Sequence, residues 1–151
     1  MLQAIQTDTA YHNGNYDGRP SLALASHISQ MVFTSPQFIA GTVPRDSFYT
    51  WYKPAEKQVE VDWNDNVRQY QAVIGFDITN STHGSLEEAA RAIKAKMLIV
   101  TSKSDHALNP RLPKKFALMA NAQYIEMDTD AGHVPPLEAW PLATIREFIE
   151  K

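Results

Sequence analysis

Two spacings of apolar residues alternate along this chain. Between residues 21 and 35, Leu24, Ile28, Met31 and Ser35 recur at intervals of four, three and four with Val32 beside them, and Pro36 follows. That pattern predicts a helix with one apolar face, stopped by the proline. Asp62 is a capping residue, and after it Trp63, Val67, Tyr70 and Ile74 repeat the same spacing up to Gly75, predicting a second amphipathic helix. Ser85-Leu86-Glu87-Glu88 has the capping-box pattern, with a short helix expected to Ile93 and Leu86, Ala89, Ala90 and Ile93 beneath it. The spacing then changes. Met97-Leu98-Ile99-Val100-Thr101 is apolar on both alternating faces, as in a strand covered on both sides by helices. Asn109 followed by Pro110 opens a further helix with Leu112, Phe116 and Met119 as its buried stripe. Gln123-Tyr124-Ile125-Glu126-Met127 reads as a second strand, and a last helix restarts at Pro141 with Leu142, Ile145, Phe148 and Ile149 facing inward. Met1 to Gln6 reads as a helix end, residues 7–20 as a loop turning at Gly14 and Gly18, residues 37–61 as irregular and residues 77–84 as a polar connection.

The fold class is therefore α/β. Ser102-Lys103-Ser104-Asp105 follows the first strand and Asp130-Ala131-Gly132-His133 the second. In parallel sheets the loops leaving the carboxyl ends of the strands line the ligand crevice, so Asp105 and His133 are expected side by side. Two strands alone do not make a stable sheet. The chain is thus expected to be the carboxyl-terminal portion of a larger α/β domain, or else to recruit Glu56 to Val61 as an extra strand.

Composition narrows the chemistry. The 151 residues fit one domain, and a formal charge of −3 with no basic run argues against nucleic acid as a partner. No cysteine is present, which removes disulfides and thiolate zinc sites. The amino terminus has neither a basic start nor a long apolar stretch, so no signal peptide, membrane span or membrane partner is expected, and the location is read as cytoplasmic. His12, His27, His83 and His106 have no partner at a metal-ligand spacing on one helix, and no metal site is expected. Asp105 alone would pass as a turn residue and His133 as a loop residue; their order after two strands is what pairs them.

Ala4-Ile5-Gln6-Thr7-Asp8 with Tyr11, Gly14 and Tyr16, then Leu22-Ala23-Leu24-Ala25 leading to Phe33-Thr34-Ser35, Phe76-Asp77, and Ile93 to Val100 through Ser104-Asp105, together resemble the homoserine O-acetyltransferase family of the α/β-hydrolase superfamily. The resemblance implies the carboxyl-terminal part of an α/β-hydrolase fold. Residues 1–84 would be a helical lid and residues 85–151 a β-α-β-α part of the core, with a homodimer formed through the lid helices. It further implies acyl transfer through a Ser-Asp-His triad, with acetyl-CoA as acyl-donor substrate, a small hydroxyl compound as acceptor and no bound cofactor. His133 would be the general base and Asp105 the residue that holds its ring. No serine here has glycine two before and two after it, so the nucleophile elbow is absent and this chain alone is expected to be inactive. The serine would come from an amino-terminal half or a partner chain. Where the family places an acid after the histidine this sequence has Val134-Pro135-Pro136, which leaves a serine esterase, or a non-catalytic lid or assembly module, as alternatives.

Overall fold

The computed structural model describes residues 1–18, 20–53 and 62–150. Its helices are α1 (Leu2–Gln6), α2 (Ala23–Phe33), α3 (Pro36–Thr42), α4 (Phe48–Tyr52), α5 (Trp63–Gly75), α6 (Leu86–Ala92), α7 (Arg111–Met119) and α8 (Leu142–Ile149), and its strands are β1 (Leu98–Ser102) and β2 (Gln123–Met127). None of the described helices is long and apolar enough to cross a membrane. The chain gathers into two compact units, Met1–Val32 with Thr42–Phe76, and Phe33–Gly41 with Asp77–Lys151. Residues 33–41 and 77–84, which the sequence reading puts in the lid segment, thus group with the strands.

The first unit has its own small core of Ile5, Tyr11, Leu22, Ala25, Trp63 and Val67. A fully buried aliphatic side chain contributes about 1.5–3 kcal/mol, so this cluster holds α1, α2 and α5 together. Polar ties complete it. The Asp62 carboxylate accepts the Asn64 N–H at 2.8 Å and caps α5, Asn64 Oδ1 accepts the Tyr11 hydroxyl at 2.9 Å, and Trp63 Nε1 donates to Pro20 O at 2.8 Å. The face of α2 differs from expectation. Leu24 is 58% exposed while Leu22, Ala25 and Ser26 are buried. Both rows follow three-and-four spacing, so period alone does not choose between them.

Residues 37–61 were expected to be irregular, yet α3, a 3₁₀ turn at Arg45–Ser47 and α4 occupy much of them. Pro36 both ends α2 and starts α3, because its missing N–H costs nothing in a first turn, and Ser35 Oγ accepts the Phe38 N–H at 2.9 Å as a cap. In α4 the Phe48 ring stacks on Tyr52, and Tyr52 in turn stacks on His27. The alternative strand at Glu56 to Val61 lies outside the described residues.

In the second unit β1 and β2 pair in parallel, in register from Leu98 opposite Gln123 to Ser102 opposite Met127. The connecting α7 packs on both strands. Pro113 sits in its first turn, where no intrahelical donor is lost. Ser85 Oγ accepts the Glu88 N–H at 3.2 Å, and α6 follows as its cap predicts. The stripes read from the sequence are only partly buried. Ala117 is the buried residue of α7, whereas Leu112 is 69% exposed, and no residue of α8 is buried, with Ile149 76% exposed. Only Ser102 and Met127 of the strands are buried. The two-sided cover implied by the apolar strands is not supplied by the described residues.

Candidate active site

At the carboxyl end of β1 the Lys103 N–H donates to Met127 O at 3.0 Å, carrying the strand pairing one residue further. The chain then turns, with the Asp105 N–H donating to Ser102 O at 3.2 Å. Asp105 Oδ1 accepts the N–H groups of Ala107 and Leu108, each at 2.9 Å. The carboxylate is thereby held by one oxygen, and the other, Oδ2, meets His133 Nδ1 at 2.8 Å. The Asp105 side chain is 9% exposed and that of His133 28%. A nearly enclosed carboxylate held by three donors, two on one oxygen and one on the other, keeps its geometry, and the histidine remains reachable.

His133 arrives on a loop built around Gly132, whose φ of +100° favours glycine. Thr34 forms an antiparallel bridge with Gly132, the His133 N–H donates to Phe33 O at 2.8 Å, and Ser104 Oγ accepts the Gly132 N–H at 3.0 Å. Fully buried Ser35 donates its hydroxyl to Asp130 O. The Phe33 ring lies 5.0 Å from the imidazole at 27°. With the Nδ1 proton donated to Asp105, the lone pair of the imidazole sits on Nε2, which suits it to take and return a proton.

Nearby, exposed Lys103 and Asp128 pair at 2.8 Å. The hydrogen bond and charge of Asp128 raise the Lys103 pKa, and the same contact from Lys103 lowers that of Asp128. An exposed pair of this kind adds little stability.

The structure thus brings together the two residues singled out in the sequence, Asp105 and His133; His106 directly follows Asp105 in the chain, and the remaining three histidines lie elsewhere, His12 in a left-handed turn, His27 against Tyr52 and His83 at the end of a 3₁₀ turn. Among the described residues no three His, Asp or Glu side chains gather as metal ligands would. Val134, directly after the histidine, is 68% exposed. The supports of the histidine loop are not visible in the sequence. Phe33, Ser35 and Ser104 carry no local signal for this role, since two of them lie about a hundred positions from the loop they hold.

No family model matches the chain. A homoserine O-acetyltransferase of Methanosalsum zhilinae is 30% identical over 156 aligned residues, covering 86% of this chain and 31% of that protein. Among solved structures, the homoserine O-acetyltransferase from Bacillus anthracis superimposes with a TM-score of 0.80 at 23% identity, over 99% of this chain and 47% of that one. The acetyl esterase MekB gives 0.78 at 17% over 99% of this chain and 48% of that one, and an acetylester hydrolase from Corynebacterium glutamicum gives 0.72 at 16% over the same shares. The chain spans about half the length of these solved chains and less than a third of the curated relative.

Proposed function

From the premise that this chain has the fold of the carboxyl-terminal part of an α/β-hydrolase and resembles homoserine O-acetyltransferases, as its sequence led one to expect, we propose that it supplies the acid and the base of a serine acyltransferase. The observation that carries this reading is the 2.8 Å contact of His133 Nδ1 with Asp105 Oδ2, made by a carboxylate whose other oxygen is tied to two backbone donors.

In this reading a serine from a segment outside these 151 residues lies within reach of His133 Nε2. The imidazole takes the hydroxyl proton as the serine oxygen attacks the acyl carbonyl of the donor, for which acetyl-CoA is the candidate. As the tetrahedral intermediate collapses, the C–S bond breaks and the imidazolium returns the proton to the departing thiolate. In the second half an acceptor hydroxyl gives its proton to His133, its oxygen bonds to the acyl carbon, and the serine leaves reprotonated. Asp105 holds the Nδ1–H tautomer in the resting state and offsets the positive charge formed in each half. No cofactor takes part in these steps.

A second reading, hydrolysis of acetyl esters, is favoured by Val134-Pro135-Pro136 after the histidine, since an uncharged neighbour offers no partner to the ammonium of homoserine. The test uses the longer protein that carries the serine. Acetyl-CoA with homoserine, against simple acetyl esters, separates transferase from esterase. With either substrate, His133→Ala is expected to lower kcat by about a thousandfold or more. A variant that keeps the wild-type rate, or robust turnover by the 151-residue chain alone, would overturn the reading.

A further inference from the structure

An imidazole following a glycine is poorly fixed by its own backbone, because the glycine leaves the chain before it free to rotate. A single hydrogen bond from Nδ1 does not cure this, since the ring can still swing about the line joining Nδ1 to Asp105 Oδ2. Something must act on the ring face. The Phe33 ring is stacked there, 5.0 Å between centroids and 27° between planes. The carbonyl of the same residue accepts the His133 N–H at 2.8 Å, so one residue holds both the backbone and the ring. The two residues after it extend the hold. Thr34 pairs with Gly132, and Ser35, fully buried, binds Asp130 O through its hydroxyl while capping α3 through the Phe38 N–H. The three successive residues Phe33, Thr34 and Ser35 thus grip three of the four residues ending in His133.

We propose that Phe33 is the positioning residue of His133, its aromatic face fixing the imidazole plane so that Nδ1 stays on Asp105 and Nε2 keeps one direction. This rests on the catalytic reading above. It predicts that aromatic character at position 33 matters beyond volume, and that the carbonyl contact, present in any variant, does not suffice.

The experiment uses the longer, serine-bearing protein with labelled histidine. In the wild type the Nδ1 proton shared with Asp105 is expected to give a resolved low-field NMR resonance. In Phe33→Leu, which keeps a comparable volume and the backbone carbonyl, that resonance is expected to broaden or vanish while the amide spectrum of β1 and β2 is retained. The kcat should fall about tenfold with KM unchanged, the size expected from lost orientation and one aromatic pair. Phe33→Tyr should restore both. Phe33→Met, read in the same way, serves if leucine disturbs the fold. An unchanged resonance and kcat in these variants would overturn the proposal. The resonance reports geometry whether or not the protein turns over, so a failed positioning role and a failed catalytic role, the latter seen as His133→Ala at the wild-type rate, are separate results.

Discussion

Gly132 shows how much of the site depends on one missing side chain. Its φ of +100° is costly for any L side chain, and a Cβ there would collide with Phe33 O and Ser35 N. Gly84, with φ of +88°, has the same backbone problem but open space around it. Alanine at Gly84 should therefore cost only the backbone strain, about 1–2 kcal/mol. Gly132→Ala should cost on the order of 3 kcal/mol or more, because the loop must also part from residues 33–35. Urea unfolding of the two variants measures the difference, and equal losses would mean that the close approach at Gly132 contributes nothing. The dipeptide Gly132-His133 was legible in the sequence, but the reason for its glycine was not. That reason lies in backbone atoms about a hundred positions away.

At the scale of elements, caps were legible because they are local. Ser85 Oγ on the Glu88 N–H is a contact over three residues, and Ser85→Ala is expected to destabilise by about 1 kcal/mol, with Ser85→Asp close to neutral, as read from thermal or urea midpoints. Equal losses for both would argue that the cap is not the cause. The two strands were legible for the same reason, each being a short apolar run followed by its turn. Helix faces were less so. Around α2 the rows Leu22-Ala25-Ser26 and Leu24-Ile28-Met31 have the same helical spacing and each begins with a leucine, yet only the first is buried, a choice made by the partners it meets after packing. The helix α3 is masked in the sequence although Ser35-Pro36 is a cap followed by a proline at the first helical position, because the same proline also marks the stop of α2.

For the whole molecule the telling feature is exposure. Leu112, Leu118, Leu142 and Ile149 stand more than half exposed around a two-stranded sheet, in a chain about half the length of its solved relatives. In the first unit Leu24, Tyr49, Val73 and Ile74 are exposed in the same way, and we propose that the longer protein pairs with a second copy through these lid helices. Sedimentation equilibrium is expected to show a dimer at micromolar concentration, and Val73→Asp with Ile74→Asp to shift it to monomer. A wild-type monomer under those conditions would remove the dimer.

The sequence by itself determined what depends on near neighbours: the helix starts at Asp62 and Ser85, the two apolar strands, and the order in which an acid and a histidine leave them. Parallel pairing then has to bring the carboxyl ends of adjacent strands together, so the meeting of Asp105 with His133 followed from order alone. Tertiary structure decided the rest. Which face of α2 is buried, why Gly132 must be glycine, and the hold of Phe33, Thr34 and Ser35 on the histidine loop all depend on pieces of chain far apart in sequence. No local period or spacing encodes such contacts, because each is settled by what happens to lie opposite once the chain has packed.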